Sequence, residues 1–511
     1  MNAITEYDVV IVGSGPAGST FARVLHDEVP GIRLAMFESG PLIAEPAGRH
    51  VKTISDPEEF KAAQLASQGG NTGPTGVMSP LANTSDAEPA IEARPGTFLV
   101  GGGSPLEDMP AAAMSTNVGG MGAHWTCACP VPGDGERIEF IPRDEFDKVF
   151  ADAWRLLHVT QDAFKGAPLG EEVRAVLARE VDAGRAPDRK VQPMPLGIRV
   201  GEDGNRYWTG TDVILEGVGD GFELHPGHTA LRILVENGRA CGIEVRDETT
   251  GQVRQVHAKA VVVAADSFRT PRLLHVSGVR PSALGHYLND HPQILGLARL
   301  DERFVPDAAR ARRTQGPALD QLSGVSWIPY DQERFPFHGQ IMQLDTSPVP
   351  LEGTPEPWPG SIVGVGLFTC KDIQFEDRVE FDDTVLDGSG FPAMRIHYQL
   401  TSKDRQALAE GVTAVKSLVA ALGEPVNGRP PVIMPNGSSL HYMGTVRMGP
   451  ADDGTSVCDT YSAVWGLDGL YVAGNGVIPT ATACNPTATS VALAIRSARA
   501  IARRLRSIDE S

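Results

Sequence analysis

The 511-residue sequence predicts an α/β protein, in which a dinucleotide-binding domain built from both ends of the chain joins an α+β domain with an antiparallel sheet. Three observations predict this. The chain opens on a buried strand, a glycine-rich turn and a helix. An apolar strand, "AKAVVVAA", lies near its middle. A strand ending in small residues, "GLYVAGNGVIPT", and a long apolar-striped helix close it.

The opening stretch is "YDVVIVGSGPAGSTFARVLHD", with Gly13, Gly15 and Gly18 in the pattern G-x-G-x-x-G. The first glycine permits the tight turn, the second admits a pyrophosphate to the backbone, and the third lets helix and strand pack closely. The helix N-terminus adds a favourable field for the phosphate. A second strand, "GIRLAMFESG", carries Glu38, twenty residues after Gly18. A carboxylate there can accept both hydroxyls of an adenosine ribose. The pattern is Rossmann-like and predicts bound FAD or NAD.

Residues 40–116 are rich in Gly, Pro, Ser and Ala with little periodicity, as expected of a long loop or lid. Residues 143–180 read as helical. From residue 221, "FELHPGHTALRILVENGRACGIEVRDETTGQVRQVHAKAVVVAAD" reads as three short strands feeding the apolar one, and "SFRTPRLLHVSGV" as a helix ending at Gly278. Residues 280–431 alternate strand-like and loop-like segments, as in a separate substrate-facing sheet. In "NPTATSVALAIRSARAIARRLRSI" the apolar positions Val491, Ile495, Ala498, Ala502, Leu505 and Ile508 form one stripe. Asn485 reads as the N-cap and Pro486 as the first helical residue. Arg496, Arg499, Arg503, Arg504 and Arg506 crowd the C-terminal part, where the helix dipole favours cations.

Lys and Arg total 45 against 64 Asp and Glu, a net charge of −19. That balance argues against nucleic acid or an anionic membrane face as partner. No apolar run is long enough to span a bilayer, and the first residues lack the features of a secretion signal, so a cytoplasmic location is expected. Six cysteines are too sparse for a disulfide framework. None forms Cys-x-x-Cys and no histidine pair has zinc spacing, so no metal site is expected. The composition sets no oligomeric state.

Three stretches, "VVIVGSGPAGSTFARVL", "VVVAADSFRTPRLLHVSG" and "LHYMGTVRMG … GLYVAGNGVIPTATACNPTATSVALAIRSA", resemble the glucose–methanol–choline (GMC) family of FAD-dependent alcohol oxidoreductases. "LGHYLNDHP" resembles a further family segment. "GAHWTCACP" and Asn485-Pro486-Thr487 resemble pyranose oxidases and their bacterial glycoside 3-oxidase relatives. The resemblance implies a GMC/pyranose-oxidase-like fold. Its FAD-binding domain would comprise residues 1–40, 117–135, 205–295 and 440–511. Residues 41–116 would be a lid, and residues 136–204 and 296–439 would form the substrate-binding domain.

The implied FAD contacts are Gly13, Gly15, Gly18, Glu38, Gly120, Gly122, Ala123, His124, Thr126, Ala230, Ala265, Asn475, Gly476, Pro486 and Thr487. His441 matches the family's catalytic base and Asn485 its hydrogen-bonding partner. Many pyranose oxidases tether the flavin through a histidine preceded by Ser-Thr. Here Gly122-Ala123 precede His124, so FAD is expected to be held non-covalently, with Thr126 near flavin N5 and the following cysteines acting as small apolar fillers.

The implied activity is hydride transfer from a secondary hydroxyl of a pyranose or glycoside to flavin N5, with proton loss to His441, at C3 or alternatively C2. Dioxygen giving hydrogen peroxide is the expected electron acceptor, and a quinone-type acceptor the alternative. Pyranose 2-oxidation of free glucose is a competing reading. A flavin monooxygenase or NADH-dependent reductase would share the N-terminal glycines but gives no reason for His441 and Asn485. Gln343, His338 and Asp345 are the polar candidates for the sugar side.

Overall fold

In the computed structural model, residues 6–67, 96–100, 108–167, 169–305, 307, 322–344, 347–348, 351 and 360–509 are described. Strands from both ends of the chain meet in one sheet. Its strands are β1 (Glu6–Val12), β2 (Leu34–Glu38), β3 (Phe222–Pro226), β4 (His228–Glu236), β5 (Arg239–Asp247) and β6 (Val253–Val263), in the order β4-β5-β6-β1-β2-β3. The late strand Leu470–Val472 also pairs with β6, in parallel, with Val261 opposite Leu470 and Val263 opposite Val472. Ala260, Val261, Val262 and Val263 are all buried, as a strand covered on both faces requires.

The first helix, Pro16–Glu28, and the C-terminal helix, Thr487–Asp509, pack against each other beside this sheet. Val491, Ile495, Ala498, Ala502 and Leu505 are all buried, as the stripe predicts. The arginines of the same helix reach outward to acceptors: Arg496 to Glu145, Arg499 to Glu28 and Asp152, and Arg504 to Asp468.

A second sheet is antiparallel. Its long strands are β7 (Gln293–Leu300), β8 (Leu322–Ile328), β9 (His338–Leu344) and β10 (Ile362–Phe368), in the order β7-β10-β9-β8. One face buries Ile294, Ala298, Ile341, Val363, Val365 and Leu367 against helices Gly170–Val181 and Ser402–Leu422. The opposite face presents Gln293, Leu295, Gln340, Met342, Gly366 and Phe368 to a cleft that runs to the first sheet.

Five details differ from the sequence reading. The stretch read as a long loop holds a helix, Pro57–Ala66, capped by Asp56, and a short antiparallel pair, Phe98–Leu99 with Ala113–Met114. Residues 143–180 form two helices, Arg143–Leu156 and Gly170–Val181, parted at His158, whose φ of +52° no helix accommodates. The "FELHP" strand adds in parallel to β2 instead of opening the meander. The segment "VRQVHAKAVVV" is one continuous strand. Within 280–431, Ser402–Leu422 is a 21-residue helix, started by a capping box in which Thr401 Oγ1 accepts from Asp404 N and Asp404 accepts from Thr401 N. Among the described residues no helix is long and apolar enough to cross a membrane.

The start of that helix is held by a buried charge cluster. Lys371, with a fully buried side chain, places Nζ 2.7 Å from Asp377 and 3.3 Å from Asp404. Both carboxylates also accept backbone N–H groups, from Gln399 and from Asp372. Removing the cation would strand two carboxylates away from water. Lys371→Met is therefore expected to destabilise the protein by about 3–5 kcal/mol, read as a lower denaturation midpoint. An unchanged midpoint would show that the cluster contributes nothing.

Candidate active site

The cleft between the sheets has a volume of about 1570 Å³, more than a typical small-molecule pocket, and extends from the glycine turn to the second sheet. Gly13 has φ +99°, and a Cβ there would lie 2.4 Å from Ala264 O; a Cβ on Gly18 would lie 2.1 Å from Gly13 O. Both positions therefore exclude a side chain. Gly15 faces open space. The first helix has no side-chain cap and no acidic residue in its first turn, leaving its N-terminal N–H groups for an anion. Glu38 is buried where β2 ends, accepting from Ser14 N at 3.1 Å, Ser14 Oγ at 2.8 Å and Gly40 N at 2.9 Å. The Ser39 hydroxyl also donates to Oε1, at 3.3 Å, and as a rotatable group it can yield that lone pair to a ribose hydroxyl. Two cleft-lining groups, Ser115 Oγ and His124 Nε2, are buried without a hydrogen-bond partner. This donor and acceptor set fits an FAD.

Of the residues singled out in the sequence, Gly13, Gly15, Glu38, Gly120, Gly122, His124, Thr126, Ala230, Ala265, Asn475, Thr487, His441 and Asn485 line the cleft together. Gly18, Ala123, Gly476 and Pro486 stand behind it as packing and turn positions. A Cβ on Gly122 would lie 2.9 Å from Pro16, so this loop is pressed against the start of the first helix. Cys127 and Cys129 are fully buried, and burial pushes both thiols up. They fill space, as expected.

At the other end of the cleft His441 and Asn485 meet, with Asn485 Nδ2 3.1 Å from His441 Nε2. They belong to a longer buried row. Trp327 Nε1 donates to His338 Nδ1 at 3.1 Å, and His338 Nε2 lies 3.0 Å from Asn485 Oδ1. On the far side His441 Nδ1 lies 3.0 Å from His291 Nδ1, and His291 Nε2 lies 3.0 Å from Thr482 Oγ1. The C-terminal helix begins at Thr487, and Pro486 O takes its first bond, from Ser490 N. The expected N-cap at Asn485 and first helical position at Pro486 thus each shift by one residue. The Asn485 amide is turned to the histidines.

Two buried carboxylates hold the loops that carry this pair. Asp290 accepts from His441 N at 3.0 Å and from the Ser439 hydroxyl. Its burial outweighs those donors and raises its pKa to about 6. Glu136 accepts from Ala483 N at 2.7 Å and Cys484 N at 3.0 Å, fixing the approach to Asn485.

The sugar-side candidates are corrected by strand alternation. His338, Gln340 and Met342 share one face of β9, whereas Gln343 faces away, packed against Gly324. His338 reaches the site only through Asn485. Asp345 lies outside the described residues. On this sheet the glutamines that do face the cleft are Gln340 and Gln293, and Oε1 of Gln293 is buried without a partner. Their signal was the period of two in "HGQIMQL" and "QILGLARL". Trp327, His291, Glu136 and Asp290 carry no local signal of this kind.

Burial lowers the pKa of His50 and His338 to about 3 and of His124 to about 4, and burial beside His441 and His338 holds His291 well below its ordinary value. A histidine depressed in the folded state leaves the unfolded chain to take the proton first. Stability is then unaffected above pH ~6.5 and falls below it, by up to about 1.4 kcal/mol per pH unit and histidine. Asp290, raised by burial, takes a proton in the folded state between about 6 and its ordinary value, which offsets part of this loss. Denaturant unfolding should give lower stability at pH 5 than at pH 7.5. Equal or higher stability at pH 5 would mean that these histidines are not held neutral.

Residues 134–293 and 377–494 match the GMC oxidoreductase family. The chain is 52% identical to the C-glycoside 3-oxidase of Arthrobacter globiformis over 98% of its own length and 96% of the relative's. It is 48% identical to the C-glycoside 3-oxidase of Microbacterium trichothecenolyticum, covering 97% and 96%. To the pyranose 2-oxidase of Tricholoma matsutake it is 30% identical, covering 97% and 93%. A solved formate oxidase shares the fold with a TM-score of 0.65 at 16% identity, covering 99% of this chain and 100% of that one. The family match, the whole-length relatives and the shared fold agree: the chain belongs to the GMC oxidoreductase family.

Proposed function

We propose that this FAD-dependent oxidoreductase oxidises the C3 hydroxyl of a pyranosyl C- or O-glycoside to a ketone. The observation that carries this reading is the His441–Asn485 pair, 3.1 Å apart at the cleft face where the polar side chains of the second sheet converge. When bound, without a covalent link, at the glycine turn, Glu38 and the His124 loop, FAD would supply the two-electron acceptor for the hydride, with dioxygen as the final electron acceptor.

The chain's own residues do the rest. His441 Nε2 takes the hydroxyl proton, and Asn485 Nδ2 donates to the same oxygen as negative charge develops on it. Gln293 and Gln340 supply hydrogen bonds to neighbouring sugar hydroxyls and set which carbon is presented. Leu295, Met342 and Phe368 give the ring an apolar seat and keep water from the reacting carbon. Residues 97–100 and 113–116, the described flanks of the long loop, border the same cleft, where an aglycone would extend. The two relatives named for 3-oxidation are 52% and 48% identical to this chain, against 30% for the pyranose 2-oxidase of Tricholoma matsutake; this supports C3. The same reading takes residues 1–40, 117–135, 205–295 and 440–511 as the FAD-binding unit, and 136–204 and 296–439 as the substrate-binding unit. A cytoplasmic location completes it, supported by six cysteines that all stand as free thiols.

Anaerobic mixing with a C-glycoside should bleach the flavin, and NMR of the product should show a 3-keto sugar. His441→Ala should slow bleaching by about 10²–10⁴-fold, with the flavin still bound. Bleaching at the parent rate in that variant would remove His441 as the base. Acid precipitation should release the flavin into the supernatant. A yellow pellet would show a covalent bond, with His124 the residue to examine.

A further inference from the structure

The buried row across His441 has one end that can only donate. The Trp327 indole carries a hydrogen on Nε1 and no acceptor. His338 Nδ1, 3.1 Å away, must therefore accept. Because burial keeps His338 neutral, its single proton sits on Nε2 and is donated to Asn485 Oδ1 at 3.0 Å. That bond fixes which way the Asn485 amide points, so Nδ2 donates to His441 Nε2 at 3.1 Å. The weaker approach of the same Nδ2 to Gln340 Oε1, 3.5 Å, has the same sense.

A neutral His441 accepting at Nε2 carries its proton on Nδ1 and donates it to His291 Nδ1 at 3.0 Å. Burial and the neighbouring histidines keep His291 neutral too. Its remaining proton, on Nε2, goes to Thr482 Oγ1 at 3.0 Å, and that hydroxyl donates to the Met443 thioether at 3.6 Å. The row thus runs one way, from a group that only donates to one that only accepts.

We infer that Trp327 and His338 are positioning residues that set the tautomer of His441, holding its Nε2 free of a proton so that it can take one from the substrate. This rests on His441 being the base. Without the indole, His338 can place its proton on Nδ1, the Asn485 amide can turn over, and His441 Nε2 would then carry the proton. A base in that state cannot accept.

The direct test is ¹⁵N NMR of the FAD-loaded protein labelled at histidine, with the His441 signals identified by their loss in His441→Gln. The parent protein should show Nε2 unprotonated and Nδ1 protonated, and Trp327→Phe should lose that pattern. The same variant should reduce its flavin about tenfold or more slowly, with little change in the glycoside concentration for half-maximal rate. Trp327 replaced by 3-benzothienylalanine, which keeps the shape of the indole ring but has sulfur in place of the N–H, should be as slow as Trp327→Phe, because only the donor is lost.

Parent-like tautomer and rate in Trp327→Phe would overturn the inference. So would parent-like tautomer and rate with 3-benzothienylalanine at position 327 beside a slow Trp327→Phe, since the tryptophan would then act only by packing. Failure of the base assignment reads differently: His441→Ala would bleach at the parent rate.

Discussion

The structure depends on the pairing of one apolar strand, Val253–Val263, with two others drawn from opposite ends of the chain. Its C-terminal half lies between Glu6–Val12 and Leu470–Val472, parallel to both. Parallel neighbours end at the same edge of a sheet, so the glycine turn after Val12, the small residues after Val263 and the Gly474–Asn475 turn open on one side. The two helices that follow the first and last of these strands pack on each other and start at that same cleft. A dinucleotide cradle is the outcome, and its position dictates where the chemistry can occur.

The second sheet completes the site by presenting two unlike faces. One is apolar and carries the helices; the other sends glutamines, a methionine and a phenylalanine into the cleft. His441 and Asn485 come from the last seventy or so residues but are held by groups far away in sequence: Asp290 and Glu136 grip the backbone, while His291 and His338 grip the side chains. Such a buried polar row is sustained only if its members satisfy one another, and here one donor-only indole orders the whole set.

Much of this was legible in the residues. The glycine spacing and Glu38 disclose the nucleotide arm because backbone clearance and a ribose contact demand them at those positions. His441 and Asn485 were readable through their resemblance to a family motif, although Asn485 also satisfied the preferences of a helix cap and so concealed where its amide points. Strand alternation beside His338 separates Gln340, which faces the cleft, from Gln343, which does not. The helix at Ser402–Leu422 had a readable start in Thr401-x-x-Asp404 and apolar positions at Leu408, Val415, Leu418, Val419 and Leu422. Trp327 and Glu136 were not readable at all, and Asp290 and His291 only as members of "LGHYLNDHP", with no role attached. Their partners lie from eleven to several hundred residues away, and no local pattern records a contact made only by the folded chain.

The central claim is that His441 Nε2 and Asn485 Nδ2 together receive one particular sugar oxygen. A crystal structure of the FAD-loaded protein with a glycoside that it binds but does not oxidise tests this most directly. The account predicts the C3 oxygen within roughly 2.6–3.2 Å of both nitrogens, with Gln293 and Gln340 on adjacent hydroxyls. A C2 oxygen in that place, or a sugar bound away from the pair, would contradict it.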